Sequence, residues 1–131
     1  MSATAVTARS PFDAIGGEDA VRRLVDRFYD LMDGDPAYQA LRHLHAPDLA
    51  PMRRSLTGFL TGWLGGPRHW FDANPGRCMM SLHAPIAIDK PVADQWVAAM
   101  GQALRDTAVD PALADQIAVA FARMAINMVR N

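Results

Sequence analysis

The stretch EDAVRRLVDRFYDLM, residues 18–32, places apolar side chains three and four positions apart. Residues with this spacing share one face of a helix, so the stretch predicts an amphipathic α-helix. The helix is expected to stop at the turn sequence Asp33–Pro36, which a helix cannot continue through. Its apolar stripe consists of Val21, Leu24, Val25, Phe28, Leu31 and Met32, with Tyr29 at its edge.

Three further segments, residues 48–64, 91–105 and 110–129, repeat this helical period. Asp89 and the Asp110–Pro111 pair are start signals, because a capping carboxylate followed by proline favours the first turn of a helix. No segment shows sustained two-residue alternation, so the sequence predicts no strand. The predicted fold class is therefore all-α.

The length and composition of the chain bound its class. With 131 residues it has the size of one domain. Residues 1–10 are expected to form a flexible N-terminal arm, and residues 11–131 a single domain that opens with a short helix over residues 11–15. Hydrophobic residues make up 50% and charged residues 21% of the chain, which excludes intrinsic disorder.

Charge, apolar runs and cysteine content exclude several partners. The formal net charge is −1, which argues against a strongly basic nucleic-acid binder. No apolar run approaches the roughly 20 residues that span a bilayer, so no membrane span is expected. The single cysteine, Cys78, fits a reducing compartment, and the predicted location is the cytoplasm.

The segment from Pro67 to Ile88 is predicted to be a long loop, because it contains several proline and glycine residues. Loops of this length inside a compact domain are uncommon and usually functional. Pro85 allows at most one helical turn before it, ending at His83 in an apolar neighbourhood. From this pattern alone, His83 is either a packed core or loop histidine or an axial ligand of a haem iron.

Other chemistries find weaker support in the sequence. His43, His45, His69 and His83 lack the spacing of a structural zinc site, and no cysteine cluster accompanies them. Cys78 and His83 lie close enough in sequence to form a nucleophile–base pair. However, no carboxylate that could orient the histidine lies nearby in sequence.

Five short motifs taken together carry more information about the fold and function than any one of them alone. The chain carries, in order, FDAIGG at Phe12–Gly17, RFY at Arg27–Tyr29, GWLGGP at Gly62–Pro67, SLHAP at Ser81–Pro85 and DQW at Asp94–Trp96. In this order and with these separations, the motifs resemble the truncated haemoglobins, and within them group II. The resemblance extends from Phe12 to Asn131.

This resemblance implies a two-over-two helical sandwich around a haem b. The helix pair at residues 18–32 and 48–64 would pack on the pair at residues 91–105 and 110–129. His83 aligns with the proximal iron ligand of the family. Its other ring nitrogen is expected to donate to a backbone carbonyl, which keeps the imidazole neutral and oriented.

The resemblance also implies a site for a diatomic ligand on the opposite face of the haem. Tyr29 and Trp96 would supply a hydroxyl and an indole N–H there, with His45 as a further polar group. Met52 falls at the usual distal-histidine position and donates nothing, and a purely packing role for Trp96 stays open. The expected haem-pocket residues are Phe28, Met52, Leu56, Phe59, Leu82 and Met100.

One position departs from the family pattern. Many relatives carry an arginine immediately before the proximal histidine, where this chain has Leu82. Arginines elsewhere would then have to pair with the haem propionates. The nearby candidates are Arg54, Arg68 and Arg77, and Arg53 also lies close in sequence.

The function implied by the resemblance is binding of dioxygen, NO or CO at a pentacoordinate haem iron, for oxygen binding, transport or sensing. The alternative is a redox enzyme that uses the same haem, as a nitric oxide dioxygenase or with peroxidase-like activity. The sequence shows no reductase segment, so such an enzyme would need a separate reductase as its electron donor.

Overall fold

Long and short α-helices make up the described part of the chain, residues 10–76 and 88–129 of the computed structural model. Within these two ranges no strand is present, which confirms the all-α prediction. The helices are α1 (Pro11–Ile15), α2 (Glu18–Gly34), α3 (Gln39–His43), α4 (Ala50–Trp63), α5 (His69–Ala73), α6 (Lys90–Asp106) and α7 (Pro111–Met128), with a 3-10 turn at Pro36–Tyr38.

The four long helices pack in two pairs. Helix α2 packs against both α4 and α6, and α6 packs against α7. Trp63, at the end of α4, stacks on Phe121 of α7 with a ring-centroid distance of 5.3 Å. The apolar stripe predicted for α2 is buried between its neighbours. This arrangement is the predicted two-over-two sandwich.

Side-chain caps fix where several helices begin. Asp89 accepts a hydrogen bond from the backbone N–H of Val92 at 3.0 Å, and Asp110 caps α7 in the same way. Ser10 caps α1 by accepting from the N–H of Asp13 at 3.1 Å. Ser10, which the sequence assigns to the N-terminal arm, is thus part of the first helix cap, and residues 1–9 lie outside the described residues.

Two five-residue helices were not predicted. The first is α3, which ends at His43. The second is α5, which lies in the segment from Pro67 onward that was predicted to be a loop. The bulky pair Trp70 and Phe71 holds α5 against Phe59 of α4, with ring-centroid distances of 5.5 and 5.4 Å. The predicted helical turn ending at His83 lies outside the described residues.

Glycines on α4 make this contact possible. A Cβ atom on Gly62 would lie 2.6 Å from Cε2 of Phe71, and one on Gly58 would lie 3.1 Å from Cβ of Trp70. Because these two glycines have no side chain, Trp70 and Phe71 of α5 can pack directly against α4. Across the described residues, none of the helices is both long enough and apolar enough to cross a membrane.

Candidate functional site

A cavity of about 510 Å³ lies among α2, α4, α5, α6 and α7. This volume falls in the range of small-molecule and cofactor sites, roughly 300–1,000 Å³. Asn74 and Ile88, which flank residues 77–87 in sequence, both line the cavity. Its apolar walls come from every one of these helices except α2, and include Leu56, Phe59, Trp70, Val92, Ala93, Ala125 and Met128.

The three predicted polar residues all line this largely apolar cavity, together with Asp48, Ser55 and Asn74. Tyr29 comes from α2, Trp96 from α6, and His45 from the segment that follows α3. Phe28 packs edge-on against both Tyr29 and Trp96, with ring-centroid distances of 4.9 and 6.1 Å. The ring of Phe28 therefore links the helix that carries the hydroxyl to the helix that carries the indole N–H.

Tyr29 keeps its proton. The residue is only 4% exposed, and burial raises the pKa of its hydroxyl to about 12, although the positive charge of Arg53 acts in the opposite direction. At neutral pH the side chain is therefore a neutral phenol. It offers one O–H donor and its oxygen lone pairs to whatever enters the cavity.

His45 is held by backbone groups around it. Its Nδ1 lies 2.9 Å from the carbonyl oxygen of Leu41, and because a carbonyl can only accept, the proton sits on Nδ1. The backbone N–H of Leu41 in turn donates to Oε1 of Gln95 on α6 at 3.1 Å. These two hydrogen bonds tie the position of His45 to the helix that carries Trp96.

Arg42 fixes the segment on which His45 lies. Its guanidinium donates to the carbonyl oxygens of His45, Ala46 and Pro47 at 3.4, 3.0 and 3.0 Å. It also pairs with Asp33 at the end of α2 at 2.9 Å. The turn between α3 and α4 thus has a fixed course past the cavity.

Three of the six predicted pocket residues, Met52, Leu56 and Phe59, line the cavity alongside Tyr29, Trp96 and His45. Phe28 and Met100 are buried but lie outside the cavity wall, because each faces the core between the helices. Leu82, His83 and Arg77 lie outside the described residues.

Of the candidate propionate residues, the two that the structure describes, Arg54 and Arg68, do not line the cavity. Arg54 is exposed on α4, and the guanidinium carbon of Arg68 lies 4.3 Å from the ring centroid of Phe71. Arg53 pairs with Asp26 and Asp30 of α2. The assignment of Arg54, Arg68 and Arg77 to propionates therefore stays a prediction.

Several wall residues were missed from the sequence. Trp70 and Asn74 lie in and just after the unpredicted helix α5, and Ile88 lies at the far end of the predicted loop. The pair of glycines four positions apart on α4 was the available signal for a bulky partner at Trp70. Met128 lies on the predicted stripe of α7, and nothing in the sequence shows whether a residue on that stripe lines a cavity or packs in the core.

Comparison with known proteins agrees with this geometry. The family model described as "Bacterial-like globin" matches residues 10–130. The Group 2 truncated hemoglobin YjbI of Bacillus subtilis (strain 168) is 32% identical over 95 residues, which cover 72% of this chain and 69% of that protein.

Solved structures show the same similarity in three dimensions. The group II 2-on-2 hemoglobin of Agrobacterium tumefaciens superposes with a TM-score of 0.91 at 29% identity, covering 99% of this chain and 98% of that one. The cold-adapted truncated hemoglobin of Pseudoalteromonas haloplanktis TAC125 gives a TM-score of 0.90 at 29% identity, covering 94% and 99%. The chain belongs to the bacterial-like globin family, as a haem-binding globin of the group II truncated type.

Proposed function

We propose that this globin binds haem b in the cavity and takes up a diatomic gas there, dioxygen foremost and also NO and CO, for oxygen binding, transport or sensing. When bound, the haem supplies a pentacoordinate iron on which such a gas coordinates. The observation that carries the proposal is that Tyr29 and Trp96, from two different helices, line one apolar cavity of about 510 Å³.

The cavity suits a large, flat and mostly apolar group. Leu56, Phe59 and Val92 give it apolar walls from α4 and α6. Leu44 and Met52 line it and yet are 42% and 38% exposed, so the cavity opens to solvent at this edge. A macrocycle with two carboxylate substituents needs both an apolar slot and a hydrated edge.

His83 is the proposed proximal ligand. The family resemblance of the SLHAP motif supports this assignment, and so does the position of Asn74 and Ile88 on the cavity wall. These two residues bring the chain to the cavity on either side of the segment that contains His83. We expect the second ring nitrogen to donate to a backbone carbonyl and hold the imidazole neutral.

Tyr29 and Trp96 are the proposed donors to the bound gas. A ligand that gains negative charge on coordination is stabilised by such donors, each by about 1.5–3 kcal/mol. Tyr29 keeps its proton far above neutral pH because of its burial. His45, with Nδ1 engaged by Leu41, packs edge-on against the Tyr29 ring at a centroid distance of 6.0 Å and restricts its tilt.

The absorption spectrum of the purified protein tests the proposal. The reduced protein should show an intense haem band that shifts on exposure to dioxygen and returns when the gas is removed. Extraction of the pigment into acidified organic solvent and formation of the pyridine complex should identify haem b at one per chain. A protein without a haem band, even after addition of haemin, would refute the proposal.

A redox enzyme is the second candidate function. Two donors to bound dioxygen favour its slow release, which suits conversion of NO to nitrate or a peroxidase-like reaction better than carriage. Such turnover requires a separate reductase. Slow release together with rapid consumption of NO would favour the enzyme, whereas fast release without oxidation of the iron would favour carriage.

The reducing cytoplasm is the proposed location. The single cysteine of the chain, Cys78, fits a compartment in which thiols stay reduced. Fractionation of cells that express the protein from its own gene checks this, and recovery with an oxidising compartment would contradict it.

A further inference from the structure

A fixed cation lies against the ring of Tyr29, outside the cavity. The guanidinium carbon of Arg53 on α4 is 5.7 Å from the centroid of the Tyr29 ring. The same guanidinium donates hydrogen bonds to the backbone carbonyl and the carboxylate of Asp26, at 3.1 and 3.2 Å. It also donates to the carboxylate of Asp30 at 2.8 Å. Asp26 and Asp30 lie on the turn of α2 that carries Tyr29.

These contacts limit how far the cation can move. Two carboxylates and a carbonyl hold the guanidinium, and its side chain is only 28% exposed. Burial disfavours the charge of Arg53, but the hydrogen bonds that it donates to Asp30 and Asp26, together with their negative charges, outweigh this and raise its pKa. A permanent charge therefore stands within the roughly 6 Å over which a cation interacts with an aromatic ring.

The charge affects the Tyr29 hydroxyl as well as its ring. Arg53 favours the ionised phenol and so opposes the effect of burial on the pKa of Tyr29. A phenol that loses its proton more readily is also a stronger hydrogen-bond donor. Arg53 does not itself line the cavity, so any effect on a ligand in the cavity has to pass through Tyr29.

We infer that Arg53 is a positioning residue for Tyr29. Arg53 holds the Tyr29 ring from outside the cavity and strengthens the Tyr29 hydroxyl as a donor to the gas ligand. This inference rests on the proposed function, because it assumes that Tyr29 donates to the ligand. It gives Arg53 a role different from the propionate contact considered from the sequence.

A double-mutant cycle on the haem-loaded protein tests the inference. Dioxygen dissociation is measured in the wild type, Arg53→Gln, Tyr29→Phe and the double variant. With Tyr29 present, Arg53→Gln should speed dissociation about two- to fivefold, the range expected for a cation–π contact at a partly exposed site. In the Tyr29→Phe background the same substitution should have no effect, because the hydroxyl is gone.

A second readout separates positioning from a general loss of structure. The C–O stretching frequency of the CO-loaded protein should move in Arg53→Gln toward the value of Tyr29→Phe, and Arg53→Lys should restore most of the wild-type value. Arg27→Gln is the matched control, because Arg27 also joins α2 to another helix, through Asp106 at 2.9 Å. It should change neither the frequency nor the dissociation rate.

The outcomes distinguish failure of the inference from failure of the proposed function. If Tyr29→Phe leaves dissociation unchanged, Tyr29 is not a donor and both ideas are overturned. If Tyr29→Phe speeds dissociation but Arg53→Gln acts equally in both backgrounds, or not at all, only the role of Arg53 is overturned. If Arg53→Gln folds poorly, Arg53→Lys decides: a frequency equal to that of Tyr29→Phe would contradict the inference.

Discussion

The same substitution, glycine to alanine, should have different effects on stability at two helical positions of this globin. At Gly62 on α4, the new Cβ would lie 2.6 and 2.7 Å from two ring atoms of Phe71. At Gly101 on α6, the nearest neighbour of a new Cβ beyond the helix's own backbone is Nη1 of Arg105 at 3.7 Å, which is an ordinary contact. Only the first substitution therefore forces a neighbour to move.

The magnitudes follow from two terms. In a helix interior, alanine is favoured over glycine by about 0.8–1.0 kcal/mol, and this term applies at both positions. Overpacking adds a cost of about 1–3 kcal/mol at Gly62 alone. Gly101→Ala should therefore stabilise the protein, whereas Gly62→Ala should range from neutral to about 2 kcal/mol less stable.

The difference between the two variants isolates the contact with Phe71, because the propensity term cancels. Urea unfolding of both variants should give midpoints that correspond to a gap of about 1–3 kcal/mol, with unchanged slopes. Displacement of Phe71 also shifts Trp70 on the cavity wall, so Gly62→Ala should lose haem faster than Gly101→Ala. Equal midpoints would refute the view that glycine at this position makes room for α5.

The other predictions concern the site. Tyr29→Phe combined with Trp96→Phe should speed dioxygen dissociation at least tenfold, since about 1.4 kcal/mol is one decade, and an unchanged rate in stopped-flow mixing would point to another donor. His83→Ala should abolish stable haem binding in the absorption spectrum, whereas His69→Ala, at an exposed position of α5, should keep it. Arg42→Ala should lower the free energy of urea unfolding by about 0.5–1.5 kcal/mol, because the carbonyl oxygens of His45, Ala46 and Pro47 lose their donor. Finally, the pKa of Tyr29 is raised from 10.0 to about 12, so its stabilising contribution is complete below pH 10 and is lost as pH rises toward 12. Over this interval the free energy of unfolding of the wild type should fall by about 2–3 kcal/mol more than that of Tyr29→Phe. Parallel curves of stability against pH would contradict a raised pKa for Tyr29.

The long helices could be predicted because each has one face to bury. Helix α2 shows an unbroken apolar stripe from Val21 to Met32, and a stripe of that length has no good alternative to an amphipathic helix. Helices α3 and α5 have five residues each, too few to display a period. Their structure depends on partners distant in sequence, such as Gln95 for the N–H of Leu41 and Gly62 for the ring of Phe71.

The same holds for the site: the sequence pattern predicts some of its residues and carries no information about others. The RFY and DQW motifs predicted that Tyr29 and Trp96 belong to one site, and both residues line the cavity. Phe28 and Met100 were assigned to the pocket wall because they lie on apolar stripes, yet the structure buries them beside the cavity. A stripe shows that a side chain points inward, but a cavity is space that no side chain fills. Where that space lies depends on how the helices cross, and Arg53 illustrates the consequence. From the sequence it was one of several nearby arginines that could pair with a haem propionate, whereas the packing of α4 on α2 directs it to Asp26, Asp30 and the outer face of Tyr29.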